Sequence, residues 1–270
     1  MSLANHDYFP KILQPCYLLQ ESGIPCVVWF EDAVRYHGGR VVPHALHLLV
    51  PNIEEAADVL VKNDWTLITP EQKKIVDPFA HTVQRCLRPP KLAPMLETTI
   101  LLPAMDWNWN WNCSLPEECD ASTFFPPLPQ LLDALIDSEL DLPPGILRLH
   151  ISCMIGYLHD YIPYVKTRKF VQELRYDNRQ YHLDWLAGMS TATNSFIKHQ
   201  RAIRDALRQG IYQLQECSAS SDNEKLFMGE TMARLAAKQP HPYEDVSEIK
   251  EDEEEYVYDL SKYNPKDIQF

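Results

Sequence analysis

The chain has 270 residues, 45% of them hydrophobic and 10% aromatic, and a formal net charge of −13. That content suffices for one large core or two small ones. No apolar run approaches the roughly 18 residues of a membrane span, the opening "MSLANHDYFPK" lacks the apolar centre of a signal peptide, and the negative balance argues against DNA as a partner. Seven scattered cysteines form no Cys-x-x-Cys and no zinc spacing, so reduced thiols in the cytoplasm are the expectation.

In chain order, "PCVVWF" reads as a short β-rich strand, and "EDAVRYHG" as a helix with acids in its first turn and glycine at its end. "VVPHALHLLV" is the next strand, entered at Pro43. "NIEEAADVLVKNDW" follows as a helix with Asn52 as its cap and apolar positions 53, 56, 57, 60 and 61. "TLI", before Pro70, reads as a third strand, completing an α/β unit over roughly residues 23 to 70. "ETTILLPAMDWNWNWNC" continues the sheet, and its alternation predicts Trp107, Trp109 and Trp111 on one face. Such a face either packs on the core or offers an aromatic platform to a ligand.

The proline-rich "FFPPLPQ" marks a joint to a helical half. Helices are expected over "LPQLLDALIDSELDLPPG" and "GILRLHISCMIGYLHDYIP". In "RKFVQELRYDNRQYHLDWLAG", Phe170, Leu174, Tyr181 and Trp185 form one stripe, with Arg175, Arg179 and His182 on another. In "SFIKHQRAIRDALRQGIYQLQEC", Phe196, Ile203, Leu207, Ile211 and Leu214 fall together, and Lys198, Arg201, Arg204 and Arg208 share the adjoining face. Asn194 or Ser195 is the expected cap, and "NEKLFMGETMARLAAK" is a last helix. The layout is therefore an α/β part over residues 1–125, a helical part over 126–240 and an acidic tail over 241–270.

Charge is unevenly placed. Residues 166 to 208 hold nine bases and four acids, a net of +5, whereas residues 244 to 259 hold nine acids and one base, a net of −8. Six cations, Arg175, Arg179, Lys198, Arg201, Arg204 and Arg208, read either as a ridge that tracks a phosphate backbone or as ordinary solvated faces. The tail "YEDVSEIKEDEEEYVYDL" reads either as a solvating run or, given Tyr256, Val257, Tyr258 and Leu260, as a segment pinned to the body. Its carboxylates would then grip a guanidinium or take a proton.

The strand "VVPHALHLLVPN" carries a further expectation. In the nucleotidyltransferase fold a strand at this point bears two metal-binding carboxylates with one residue between them. Here the alternating positions are Ala45 and His47, so nucleotide transfer is not expected, and His47 is a lone acid/base group or a partly buried strand residue. Glu31 and Asp32 open a helix, where acids mostly stabilise the N-terminus. His150 and Cys153, one helical turn apart, form a candidate thiolate–imidazole pair in an apolar segment.

Taken together, the degenerate nucleotidyltransferase-like first half, the helical "RQYHLDWLAGMSTATNSFIKHQRAIRDALRQGIYQLQEC" and the acidic, tyrosine-containing end resemble a group of fungal proteins in or near the arginine-containing cyclodipeptide synthases. The resemblance implies an enzyme that joins two aminoacyl-tRNAs, one of them arginyl-tRNA, into a cyclic dipeptide in secondary metabolism, without a cofactor, a metal, a membrane or DNA. That family carries an Asp-Asp-x-x-Glu motif. Its match here is Glu251, Asp252 and Glu255, with Glu244, Asp245 and Glu248 as a second copy; both begin with Glu. The ridge cations would hold the tRNA. The competing class is a nucleotidyltransferase-fold protein that binds a nucleotide or a partner, or transfers nucleotides with acids from elsewhere, such as Glu31 and Asp32.

Overall fold

A computed structural model describes residues 12–68, 82–90, 98–109, 111, 121–189, 191 and 193–218. Five strands form one mixed sheet: β1 (Val27–Trp29), β2 (Leu46–Val50), β3 (Thr66–Leu67), β4 (Arg85–Arg88) and β5 (Thr99–Pro103), in the order β1-β2-β5-β4-β3. Only the β2–β5 pair is parallel. Eight α-helices are described: α1 (Gln14–Glu21), α2 (Phe30–Tyr36), α3 (Ile53–Lys62), α4 (Leu128–Asp141), α5 (Ile146–Tyr161), α6 (Arg168–Glu173), α7 (Arg179–Leu186) and α8 (Asn194–Arg208). The mixture of strands and helices agrees with the α/β reading, and no described helix is long and apolar enough to cross a membrane.

Every residue of β2 is buried, because the sheet is covered on both faces. On one face Val28, Leu48 and Leu101 meet Leu13, Cys16 and Leu19 of α1 and Ile53, Ala56 and Leu60 of α3. On the other, Trp29, Leu49, Ile100 and Leu102 meet Phe30 and Val34 of α2, Leu131 and Leu135 of α4, and Ile151 and Ile155 of α5. This second cluster continues to Phe170, Tyr181 and Phe196, so one apolar core joins the sheet to the helical part. Asn52 caps α3 as expected, its side chain accepting from the Glu54 and Glu55 amides at 3.0 and 3.3 Å.

Three local expectations are corrected. The tryptophan stretch leaves the ladder at Pro103: Ala104–Trp107 is a 3₁₀ turn and Asn108 is left-handed at φ 54°, so the indoles do not alternate along a strand. They cluster nonetheless, with Trp109 lying 5.7 Å from Trp29 and 6.4 Å from Trp111 by ring centroids. The segment from Arg168 to Leu186 is not one helix, because Leu174 is extended and a 3₁₀ turn covers Tyr176–Asn178. Buried Asp133 stabilises that break by accepting from the Arg175 amide and the Asn178 side chain, each at 3.0 Å. Finally, α8 ends at Arg208 and is capped by Thr193, not Asn194 or Ser195, so Ile211 and Leu214 are not on it.

The basic ridge also differs from a solvent-facing stripe. Asp133, Asp137 and Asp141 recur every four residues along α4, presenting carboxylates from one helical face. Arg204 is buried against them, 3.2 Å from Asp137 and 2.5 Å from Asp141. Half-exposed Arg175 and Arg208 each bridge Asp137 and Asp177. Arg201 donates to the Leu140 carbonyl at 2.5 Å, and Arg179 donates to the carbonyls of Leu174 and Gln172. Lys198 is exposed. The reason is desolvation: Asp137, whose pKa burial raises, requires cations beside it.

The buried charges are open to two tests. Arg204→Ala leaves Asp137 unpaired in a dry site and should destabilise the fold by about 3–5 kcal/mol, read by urea denaturation; a change within about ±0.5 kcal/mol, as for an open surface, would refute the buried network. The second concerns His159 and His182. His159 donates Nδ1–H to the Ile155 carbonyl at 2.9 Å, leaving its Nε2 to accept from His182 Nδ1–H at 2.9 Å. Burial pushes His159 down to about 4, with Lys166 adding to the shift; burial and then the charge of His159 push His182 down to about 3. Below pH about 6.5 the unfolded imidazoles take up protons that the folded pair refuses, so stability should fall as pH drops from about 6.5 toward 4. His182→Asn keeps a donor for His159 and should flatten that pH dependence in urea midpoints.

Candidate functional site

Phe30 opens α2 with a left-handed backbone, φ 51°, while fully buried. A non-glycine residue in that region is held only by its surroundings. Its ring stands edge-on to Trp107 at 4.9 Å, His47 at 5.3 Å and His150 at 5.5 Å. The turn carries Glu31 and Asp32 into the interior, where they are 5% and 1% exposed. Beyond the helix-start role expected of them, these acids are interior groups.

Glu31 lies between two imidazoles from different elements. Its Oε1 is 3.2 Å from His150 Nε2 on α5, and its Oε2 is 3.5 Å from His47 Nδ1 on β2. His47 reaches it because strand alternation turns His47, like Leu49, toward the helical layer. Burial pushes the Glu31 carboxyl up, but contact with His150 and the fields of His47 and His150 outweigh it. The net pKa lies below the ordinary carboxylate value. A charged carboxylate between two ionisable rings can hold, take or pass a proton. Among the described residues no group of three or more His, Cys, Asp or Glu is arranged to hold a metal ion.

The other sequence-derived candidates fall elsewhere. Cys153 is exposed on α5, while its expected partner His150 turns to Glu31. Burial and the nearby Glu139 charge push the Cys153 thiol up, which opposes a thiolate nucleophile. The cations Arg175, Arg179, Arg201, Arg204 and Arg208 contact protein acceptors as described, and Lys198 is not part of that network. Glu251, Asp252 and Glu255, and the second set Glu244, Asp245 and Glu248, lie outside the described residues, as does the expected helix over 223–238.

Two further polar networks were not legible in the sequence. Fully buried Glu139 accepts from Ser152 and Tyr181, joining α4, α5 and α7, and burial raises its pKa. Fully buried Asp184 accepts from Gln180 at 2.9 Å, from Gln200, and from the Ser218 amide at 2.6 Å. Comparison with protein-family models, with curated proteins and with solved structures returns no match for this chain.

The depressed Glu31 pKa sets a signed expectation. The stabilisation it brings is present above the unfolded carboxylate pKa near about 4.3 and is lost as pH falls through the lower folded value. Glu31→Gln should therefore be less stable than the parent at pH about 6, with the difference closing below pH about 4. Urea midpoints across that range check it; a difference that widens in acid would contradict a charged Glu31.

Proposed function

We propose that the chain is a tRNA-dependent cyclodipeptide synthase, built on a degenerate nucleotidyltransferase-like scaffold, that joins an arginyl group to a second aminoacyl group. The sequence resemblance suggests the substrates, and the Glu31–His47–His150 cluster is the observation that carries the chemistry. The positions that would bear paired metal carboxylates are Ala45 and His47. Attack of an α-amine on an aminoacyl ester instead requires proton handling. A C–N bond forms as the ester C–O bond breaks, the amine proton passes to a neutral imidazole, and a protonated imidazole supplies the departing ribose oxygen. Glu31 stabilises whichever ring is charged. A second, intramolecular round of the same step closes the ring. On this reading Glu251, Asp252 and Glu255 hold the arginyl guanidinium.

A second reading, a non-catalytic module that binds a nucleotide or partner, is favoured by the inward pairing of Arg204, Arg175 and Arg208, which leaves few cations for a phosphate backbone. Expression in a heterologous host with mass spectrometry of arginine-containing cyclic dipeptides distinguishes the two. The enzyme reading expects product from the parent and a loss of about 10²-fold or more in Glu31→Gln and His150→Gln, the scale of general acid–base catalysis. No product from the parent, with no retention of tRNA at moderate salt, favours the binding module. Undiminished product from both variants removes the cluster from the chemistry.

A further inference from the structure

Helix α5 is apolar on its buried side and also on its open side. Ile146, Leu149 and Tyr161 are 59%, 58% and 42% exposed. Cys153 is exposed between them, and Tyr157 stacks on Tyr161 with ring centroids 6.2 Å apart. Positions 146, 149, 153, 157 and 161 follow the three- and four-residue steps of a single helical stripe. A helix of 16 residues is about 24 Å long, so the stripe is a continuous apolar surface of the kind that marks an interaction site.

The course of the chain points to what covers it. Residues 211–218 return from α8 and are fastened at two places. Gln180 and Gln215 exchange two hydrogen bonds of 3.0 and 2.8 Å, and Ser218 is held by Asp184. Asp184 adjoins Trp185, whose ring stacks on His159 at 4.7 Å and lies where a side chain on Gly156 would touch it, 3.8 Å away. Both partners are on α5, so Ser218 leaves the body beside the flank of that helix. Five residue steps from Ser218 to Asn223 span at most roughly 17 Å. The segment "NEKLFMGETMARLAAK", 223–238, is 16 residues long, the length of α5. At helical spacing Met228, Met232 and Leu235 share one face, and Glu230, Arg234 and Lys238 share the opposite one. Unbranched methionines suit an irregular aromatic surface.

We propose that residues 223–238 form an amphipathic helix that lies along α5 of the same chain, setting Met228, Met232 and Leu235 on the stripe from Ile146 to Tyr161. Entry beside Gly156 and His159 makes it run antiparallel to α5, with Met232 near Cys153 and Leu235 near Leu149. Its end then lies toward the N-terminus of α5, the end that carries His150. This placement stands on the described surface and the chain path, and does not depend on the reaction proposed above.

The test uses the full chain and reads alkylation of Cys153 by N-ethylmaleimide through peptide mass spectrometry. In the parent, Cys153 should react at least about 10-fold more slowly than in the Met232→Glu/Leu235→Glu double variant, with the parent rate independent of protein concentration. Equal rates in parent and variant overturn the proposal. Protection that vanishes on roughly 100-fold dilution also overturns it, because a second copy would then be the cover. A Met232→Cys variant gives an independent readout: mild oxidation should join Cys153 to the introduced thiol in a disulfide within one chain, and its absence counts against the helix.

Discussion

The central strand β2 has no face open to water. Residues 46, 48 and 50 point into the layer formed with α1 and α3, and 45, 47 and 49 into the layer formed with α2, α4 and α5. A histidine on such a strand must meet a polar partner inside the protein. Glu31 supplies it, and Glu31 can do so only because the chain turns through a left-handed Phe30 directly after β1. His150 then completes the arrangement from α5. The site is thus a consequence of covering the sheet twice while keeping one imidazole in its middle.

The same desolvation logic organises the helical part. Carboxylates spaced by four along α4 face α8 and the break between α6 and α7. Arg204, Arg208 and Arg175 turn inward to meet them, and Asp133 holds the break itself. The arginines are therefore structural members of the packing first. Any phosphate ligand would have to compete with Asp137 and Asp177 for them, which weakens a backbone-tracking role. Two further networks, around Glu139 and Asp184, tie α4, α5, α7 and α8 together, and the second fixes where the chain departs toward its C-terminal region.

These features bear jointly on function. A carboxylate between two imidazoles is suited to moving protons, and it sits beside an aromatic group formed by Phe30 and Trp107. An apolar stripe on α5 lies alongside His150, so whatever covers that stripe also borders the site. The acid–base reading and the surface reading therefore meet on one helix while resting on different observations.

Local order was legible because it depends on neighbours in the chain. The spacing of Ile53, Ala56, Ala57 and Leu60 with Asn52 before them defined α3 and its cap, and the β-rich runs marked β1, β2 and β5. The sequence likewise settled what is missing from β2, since Ala45 and His47 are what they are in any fold. What it did not contain was direction and partnership. The spacing that set Arg201, Arg204 and Arg208 beside an apolar stripe is the same for a solvated ridge and for a buried network; the carboxylates of α4, far earlier in the chain, decided it. Glu31 and Asp32 carry the ordinary signature of a helix start, and only the backbone turn at Phe30 sends them inward. Glu31, His47 and His150 follow no motif, and His150 is distant in the chain from the other two. They meet because the sheet is closed between two helical layers, an outcome set by burial of the whole core and by no one segment.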